Sequence, residues 1–214
     1  MNTDEVRSAY DTVATQYQRR FAAELHHKPF DRAWLDAFAA DGPAAARLIE
    51  VGCGDGHVTA YLAERGARIA GVDLSPVMAA LARRTYPALL FAAADMRSLP
   101  LASASIDAIV AFYSIVNLAA DDCADAFAEF ARVLRRRGRV TLAFHAGDEL
   151  RRVERWWGSE ASLDFHLHPP GRICTQLRVA GFDVVRCKLR EPYAEAIEAQ
   201  TRRAYVLARR SASR

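Results

Sequence analysis

The sequence predicts an α/β fold built on a doubly wound, mostly parallel sheet of seven strands. Apolar runs of five to eight residues alternate with amphipathic segments of helical spacing, which is the pattern of a parallel sheet with crossover helices. The first apolar run leads directly into a glycine-rich turn, where such sheets bind ligands. At 214 residues the chain has the size of one domain, so we expect residues 1–214 to form a single domain.

Seven apolar runs are predicted as strands. They are residues 47–51, 68–72, 89–93, 105–112, 139–144, 182–190 and 203–210. The run 105–112 is apolar almost throughout, as expected of a central strand covered on both faces. No helix-length spacer separates the last two runs, so we expect them to form an antiparallel hairpin, with the last strand antiparallel in the sheet.

Helices are predicted from apolar residues three or four positions apart and from the residues that begin and end helices. They are residues 4–39, which end before Asp41-Gly42-Pro43; 57–65, which end at Gly66; a helix opened by Ser75-Pro76; 121–136, which end before Gly138; and 171–180, which end before Gly181. We expect residues 1–40 to form an N-terminal helical cap. Residues 146–170 hold two adjacent tryptophans, Phe165 and two prolines without regular spacing, which predicts an irregular insert that caps the substrate.

Composition and charge argue against several classes of function. The longest apolar stretch, residues 109–120, is interrupted by Asn117 and is too short to cross a membrane, and the first residues do not resemble a secretion signal. The net charge of +3 comes from scattered side chains, so we expect no nucleic-acid partner. The four cysteines show neither metal-ligand nor disulfide spacing, so we predict reduced thiols and no metal site. A cytoplasmic location is expected by default, because neither a membrane span nor a secretion signal is recognised.

A glycine-rich turn follows the first predicted strand, in the sequence Glu50-Val-Gly-Cys-Gly-Asp-Gly56. Gly52 permits a tight turn, Gly54 lets a ligand approach the backbone, and the helix after Gly56 points free N–H groups at whatever binds there. A dinucleotide fingerprint needs Gly-x-Gly-x-x-Gly, but here the sixth position is His57. The spacing therefore disfavours a nicotinamide-dinucleotide oxidoreductase, which stays as an alternative.

Acidic residues follow the second and third predicted strands. Asp73 lies 17 residues beyond Gly56, and a carboxylate there can accept hydrogen bonds from both ribose hydroxyls of an adenosine. After the third strand, Asp95 can accept from an adenine amino group while Met96 packs on the ring. The fourth strand ends in an apolar lip that begins with Phe112. Together these residues predict an adenosine-binding crevice.

With these motifs the chain resembles the class I S-adenosylmethionine-dependent methyltransferases, in particular the small-molecule branch called methyltransferase type 11. The likeness covers nearly the whole chain and is carried by E-V-G-C-G-D-G at 50–56, G-V-D-L-S at 71–75, A-D-M at 94–96 and E-F-A-R-V-L-R-R-R-G at 129–138. It implies a Rossmann-like methyltransferase fold and S-adenosylmethionine as the cofactor, with S-adenosylhomocysteine as the product. The opening Tyr10-Asp-x-x-Ala-x-x-Tyr17 also resembles the family's first helix, which folds over the cofactor.

The resemblance also implies which residues hold the cofactor. Glu50 and the glycine turn would hold the methionine part. Asp73 would hold the ribose, and Asp95 with Met96 the adenine. The full predicted cofactor site is Tyr10, Tyr17, Glu50, Gly52, Cys53, Gly54, Gly56, Asp73, Leu74, Asp95, Met96 and Phe112. A purely structural role stays open for the two aspartates, the tyrosines and Cys53.

The expected reaction is in-line transfer of a methyl group to an oxygen or nitrogen of a small-molecule metabolite. A hydroxyl or ammonium acceptor needs a base, and the candidates are His145, one residue after the fifth strand, and His166 in the insert. Tyr113, Trp156 and Trp157 are predicted to line the substrate pocket, although covering the core stays open for the tryptophans. A non-catalytic relative that binds the cofactor as a sensor is the other alternative. We expect a monomer or a homodimer.

Overall fold

Nine strands and six α-helices are found in residues 3–212, the part of the chain that the computed structural model describes. The strands are β1 (Arg47–Val51), β2 (Arg68–Asp73), β3 (Leu90–Ala93), β4 (Ile106–Phe112), β5 (Leu134–His145), β6 (Leu150–Val153), β7 (Leu163–His166), β8 (Phe182–Arg190) and β9 (Arg203–Arg210). The α-helices are α1 (Thr3–Phe21), α2 (Pro29–Ala40), α3 (His57–Ala63), α4 (Pro76–Thr85), α5 (Ala120–Val133) and α6 (Pro170–Val179). Short 3₁₀ helices lie at Glu24–His27, Ile115–Asn117 and Trp156–Gly158.

Seven of the strands form one sheet in the order β3-β2-β1-β4-β5-β9-β8. Strands β1 to β5 are parallel, and β9 pairs antiparallel with both β5 and β8. This confirms the predicted mostly parallel sheet, in which the last strand is antiparallel and forms a hairpin with β8. The strand order reverses next to β1, and in such sheets this switch point opens a crevice at the carboxyl ends of the strands.

Helices cover both faces of the sheet and bury its central strands. Residues 108–111 of β4 have no solvent exposure, and they alternate between two hydrophobic clusters. Phe127 and Phe130 of α5 pack on one face. Leu35 of α2 and Leu62 of α3 pack on the other. Each of these fully buried side chains contributes about 1.5–3 kcal/mol through removal from water, so the sheet is a rigid base for the loops at its edge.

The N-terminal cap is two helices and not the single helix predicted over 4–39. The first helix ends at Phe21, and the second begins at Pro29. Proline cannot continue a helix, because its ring clashes with the preceding turn, but it fits the first helical position. Lys28 before it has left the helical region, at φ −119° and ψ 74°. The single-helix prediction was wrong because the apolar spacing runs on across this break.

Two other element boundaries also differ from the prediction. The helix predicted over 121–136 ends at Val133, because Leu134 pairs with Ile106 as the first residue of β5. The insert predicted as irregular contains a hairpin of β6 and β7, with Leu150 opposite His166. Each of these strands has only four residues, which is too short for alternation to stand out in the sequence.

Candidate active site

The glycine-rich turn follows β1 and leads into α3. Gly52, Gly54 and Gly56 have positive φ angles of +68°, +53° and +86°, which glycine adopts without strain. At Gly52 space also excludes a side chain, because an added Cβ would lie 2.3 Å from the Cβ of Ser114. The turn therefore keeps bare backbone against the crevice at the end of β1.

Asp73 ends β2 beside this turn. The residue is 9% exposed, and its Oδ2 accepts a hydrogen bond from the backbone N–H of Gly54 at 2.8 Å. Its Oδ1 accepts from the N–H of Ser75 at 2.8 Å. Burial raises the pKa of Asp73 to about 6, despite these two bonds. Each carboxylate oxygen keeps a second lone pair, so Asp73 can accept from two adjacent hydroxyls.

A cavity of about 820 Å³ opens in front of the turn and Asp73. Most of the predicted cofactor residues line it, namely Tyr10, Tyr17, Gly52, Gly54, Asp73, Leu74, Asp95, Met96 and Phe112. Its lining combines apolar side chains with a few polar groups, as is typical of small-molecule sites. The structure thus brings residues of α1 and residues at the ends of four strands together around one cavity.

Glu50, Cys53 and Gly56 are not among the residues that line this cavity. Glu50 is buried, its Oε2 accepts from the hydroxyl of Thr59 on α3, and burial raises its pKa to about 8. Cys53 packs against Phe91, and burial raises the pKa of its thiol well above the usual range. Contact of these three residues with a cofactor stays a prediction, whereas their contacts in the structure support the turn.

Asp95 lines the cavity but already has a partner that the sequence reasoning missed. Arg97 binds the Asp95 carboxylate at 2.6 Å and the Asp122 carboxylate at 2.5 Å. Partial burial opposes ionisation of Asp95, but the hydrogen bonds from Arg97 hold its pKa below the usual range. An arginine two positions after the aspartate was the available signal, since guanidinium groups pair readily with carboxylates.

A second cavity of about 1130 Å³ adjoins the first, and Tyr10, Tyr17 and Tyr113 line both. One wall is aromatic, formed by Phe21, Trp156, Trp157 and Phe165. The rings of the two tryptophans stack with centroids 4.5 Å apart. The opposite end is polar and includes Glu24, Lys28, His145, Glu198, Thr201 and Arg203. The residues predicted for the substrate pocket therefore lie together in this second cavity.

The two predicted bases differ in position. His145 ends β5 and lines the second cavity, with its Nδ1 2.6 Å from the hydroxyl oxygen of Thr201. Burial and the charge of Arg203 lower the pKa of His145 to about 3, so its ring is neutral at ordinary pH. His166 lies on β7, lines neither of the two cavities and stacks on His168 with ring centroids 6.1 Å apart.

The family of this chain follows from its similarity to known proteins. Residues 49–142 match the family described as "Methyltransferase domain". Over 157 residues the chain is 33% identical to the malonyl-[acyl-carrier protein] O-methyltransferase of Enterobacter lignolyticus (strain SCF1), a match that covers 71% of this chain and 58% of that protein. The chain belongs to the class I S-adenosylmethionine-dependent methyltransferases.

Two further similarities agree with this family. The chain is 31% identical over 137 residues to the demethylmenaquinone methyltransferase of Chlorobaculum parvum (strain DSM 263 / NCIMB 8327), covering 61% of this chain and 55% of that protein. The crystal structure of magnesium protoporphyrin IX methyltransferase from Synechocystis PCC 6803 with bound SAH has the same fold. Its TM-score is 0.75 at 17% identity, over 98% of this chain and 99% of that chain. The chain spans little more than half the length of the curated relatives it matches.

The residues of the first cavity fit the cofactor of this methyltransferase family. S-adenosylmethionine needs an acceptor for two ribose hydroxyls, which Asp73 could supply, and a close backbone approach, which the glycine turn would permit. Ser114 adds a hydroxyl that the sequence reasoning missed: it lines the cavity, and its buried Oγ has no hydrogen-bond partner within residues 3–212. Such an unpaired buried group is costly unless a ligand binds it, so Ser114 is a further candidate ligand of the methionine part.

Helix α1 is held over the first cavity by two hydrogen bonds that run through Asn117, which we call the clasp. The hydroxyl of Tyr10 on α1 donates to Oδ1 of Asn117 at 2.7 Å. The side-chain amide of Asn117 donates to the backbone carbonyl of Asp164 on β7 at 2.9 Å. Asn117 thus joins the N-terminal cap to the insert at the place where both cover the cavities.

We expect Tyr10→Phe to loosen this clasp and to speed the dissociation of S-adenosylhomocysteine by about 5- to 10-fold, the effect of one lost hydrogen bond. Stopped-flow displacement of the bound product measures the rate. Tyr61→Phe is the matched control, because the hydroxyl of Tyr61 bonds Asp36 on the exposed surface at 2.8 Å. A Tyr10→Phe rate equal to that of the control would show that the clasp does not hold the cofactor.

Behind Tyr113 lies a buried polar network that no sequence pattern revealed. The hydroxyl of Tyr113 donates to Oδ1 of Asp31 at 2.8 Å, and that of Tyr205 donates to Oδ2 at 3.0 Å. Arg190 binds the same carboxylate at 3.3 Å. Tyr113 has a positive φ of +56°, which costs a non-glycine residue of order 1–3 kcal/mol. The network holds Tyr113 in this unfavourable conformation between the two cavities.

The part of the chain that the structure describes forms neither a metal site nor a membrane span. No group of three or more His, Cys, Asp or Glu side chains within 3–212 could hold a metal ion. Across the same residues, every helix is too short or too polar to cross a membrane. The four cysteines are free, and three of them are buried.

Proposed function

We propose that the chain transfers the methyl group of S-adenosylmethionine to an oxygen or nitrogen of a small-molecule acceptor. The observation that carries this proposal is the pair of adjoining cavities. The first cavity is lined by the glycine turn and Asp73, and the second has an aromatic wall and a polar end. Because Tyr10, Tyr17 and Tyr113 line both, a donor in the first cavity and an acceptor in the second would meet at these tyrosines.

The protein's part in such a reaction is chiefly to bind and to orient. The bound sulfonium supplies a methyl group that is already activated for displacement. Asp73 accepts from the ribose hydroxyls, while Leu74 and Met96 line the wall where the adenine would lie. Tyr10 and Tyr17 cover the junction and exclude water, which favours loss of the positive charge. Good orientation alone supplies on the order of 7–11 kcal/mol in such reactions.

The acceptors named for the two curated relatives differ, one being malonyl-[acyl-carrier protein] and the other demethylmenaquinone. Their names therefore support methyl transfer without specifying the acceptor of this chain. A cytoplasmic location and a monomeric or homodimeric state belong to the same proposal. The free thiols agree with a reducing compartment.

Calorimetry with S-adenosylmethionine and S-adenosylhomocysteine tests the proposal. We expect both to bind, and we expect Gly52→Ala to weaken binding by at least about tenfold, because φ is positive there and the new Cβ would meet Ser114. Gly171→Ala is the matched control, since an added Cβ meets nothing within 4 Å. The absence of heat for both ligands with the unaltered protein would overturn the proposal.

Methyl transfer from labelled S-adenosylmethionine then separates an enzyme from a sensor. We expect label to pass to at least one member of a panel of phenols, amines and carboxylates. Tight binding with no transfer to any of them would favour the non-catalytic alternative. Spectrophotometric titration with a nicotinamide dinucleotide tests the oxidoreductase alternative, for which we expect no binding.

A further inference from the structure

The polar end of the second cavity is arranged around the ring of Tyr113. The His145 ring centroid lies 5.7 Å from that of Tyr113, and Nζ of Lys28 lies 5.2 Å from the same point. Cζ of Arg203 lies 5.7 Å from it. Since Tyr113 lines both cavities, these three nitrogen-bearing groups stand next to the boundary where donor and acceptor would meet.

Hydrogen bonds behind His145 fix which ring nitrogen carries its proton. Arg203 is a donor only, and its Nη1 donates to the hydroxyl oxygen of Thr201. The Thr201 hydroxyl has one hydrogen, and the acceptor that the structure gives it is Nδ1 of His145, at 2.6 Å. This pairing favours the tautomer of neutral His145 that carries its proton on Nε2. That nitrogen has no hydrogen-bond partner within residues 3–212, so it is a donor available to the cavity.

The electrostatic potential at His145 is positive, because cationic side chains surround the ring. Burial contributes most to its lowered pKa, and the charges of Arg203, Lys28 and Arg151 lower it further against the opposing charge of Glu198. The same charges that disfavour a proton on the ring favour an anion beside it. This end of the cavity thus combines a neutral N–H donor with a field suited to a negative group.

The three tyrosines at the boundary and the nearby Glu24 are poorly suited to take a proton from an acceptor. Burial raises the pKa of the phenols of Tyr10, Tyr17 and Tyr113. The carboxylate of Glu24 is bound by Lys28 at 2.6 Å, and its pKa is lowered to about 2 by hydrogen bonds and charges that outweigh its burial. A hydroxyl or ammonium acceptor would meet no effective base among these described residues.

We propose that the acceptor is an amphipathic carboxylic acid, whose carboxylate binds at this boundary with Nε2–H of His145 donating to it. This rests on the proposed methyl transfer and specifies its substrate class. A carboxylate oxygen supplies the electron pair for the new O–CH₃ bond as the S–CH₃ bond breaks, and the bonding pair of the latter passes to sulfur. The products are a methyl ester and a thioether. No proton is exchanged, so no base is needed.

The aromatic wall defines the rest of the acceptor. Trp156, Trp157 and Phe165 face the cavity from the insert, and Phe21 faces it from α1. Aromatic side chains of this kind pack against the apolar part of a ligand, which needs no hydrogen-bonding groups there. The class of substrate is therefore an acid with an aromatic or long apolar part that lies on this wall while its carboxylate points to Tyr113.

Three probes that share one apolar body but differ in head group test the proposal: phenylacetate, 2-phenylethanol and phenethylamine. With S-adenosylhomocysteine bound, we expect calorimetry to show phenylacetate binding at least about tenfold more tightly than either analogue, as for a hydrogen bond to a charged group. With S-adenosylmethionine we expect methyl phenylacetate and no proton release. Phenylacetate binding no tighter than the alcohol, or preferred methylation of the alcohol or amine, would overturn the proposal.

Two substitutions at His145 test whether its side chain acts as a hydrogen-bond donor or as a general base. Gln retains an N–H donor of similar reach, whereas Phe removes it. We expect His145→Phe to weaken phenylacetate binding by about 10- to 100-fold and His145→Gln to weaken it less. With S-adenosylmethionine saturating, we expect kcat/KM for phenylacetate to be flat between about pH 7 and 9. Equal losses in both variants, with a rate that rises with pH, would show a base and overturn the proposal.

The calorimetry also shows which proposal has failed. If S-adenosylhomocysteine binds the unaltered protein while phenylacetate gains nothing over its analogues, the carboxylate proposal is overturned and the methyltransferase proposal stands. If S-adenosylmethionine and S-adenosylhomocysteine both fail to bind, both proposals are overturned. Thermal denaturation of the two His145 variants, with a midpoint equal to that of the unaltered protein as the expected result, checks that neither is merely unfolded.

Discussion

We expect Asp73→Asn to weaken the binding of S-adenosylhomocysteine by at least about 100-fold, because two hydrogen bonds to a charged acceptor are lost or reduced. An asparagine amide would also turn an N–H₂ group toward one of two backbone donors, the N–H of Gly54 or of Ser75. Calorimetry measures the affinity. Asp36→Asn is the matched control, since Asp36 pairs with Arg65 on the exposed surface. Affinity within about threefold of the control would show that Asp73 does not hold the ribose.

The pH dependence of this binding has a definite sign. Burial raises the pKa of Asp73 to about 6, so the carboxylate that accepts from ribose hydroxyls is present above that pH and is lost as pH falls through it. We expect the affinity for S-adenosylhomocysteine to fall toward tenfold per pH unit below about 6. In Asp73→Asn this dependence should be absent. Measuring the affinity against pH in both proteins therefore shows whether the pH dependence arises from Asp73 or from another group.

The sheet could be predicted because its pattern is local. Each central strand is an apolar run, and β4 shows this most clearly in residues 106–112. A helix boundary that depends on a single residue was harder to predict. Pro29 begins a second helix in the N-terminal cap, although the apolar spacing continues across this boundary. The hairpin of the insert was missed because its two strands are very short, and their pairing is visible only in three dimensions.

The cofactor side of the site was predictable, and the acceptor side was less so. The glycine turn and Asp73 lie within 25 residues of each other and follow consecutive strands, so topology alone brings them together. In contrast, Tyr113 depends on Asp31, which is 82 positions away, and on Tyr205, which is 92 positions away. His145 depends on Thr201, 56 positions away, for its tautomer. Such partners are fixed by tertiary packing, which carries no short sequence signal.

The largest loss of stability is expected from His57→Phe. His57 begins α3, its Nδ1 lies 2.6 Å from Oδ1 of Asp55, and its Nε2 lies 3.1 Å from Oε1 of Glu24. Burial opposes charge on the ring, but these bonds outweigh it and raise the pKa of His57 to about 10. Phe would leave two buried carboxylates without this cation. Removing one member of a buried ion network costs about 3–5 kcal/mol in the free energy of unfolding.

Urea denaturation measures this loss, with Arg65→Gln as the control. Arg65 pairs with Asp36 on the surface at 2.6 Å, and such exposed pairs contribute only about 0–1 kcal/mol. A loss in His57→Phe no larger than that of the control would show that the buried imidazolium does not stabilise the fold.

The pH dependence of stability distinguishes lost charge pairing from lost packing. The folded-state pKa of His57, about 10, lies above its ordinary value of 6.5. Its stabilisation is therefore complete below about pH 6.5 and is lost as pH rises through about 10. The gap in unfolding free energy between the unaltered protein and His57→Phe should narrow over that range, whereas a gap caused by packing would not change with pH. Because His57 joins the glycine turn to the segment between α1 and α2, the same variant should also bind S-adenosylhomocysteine more weakly.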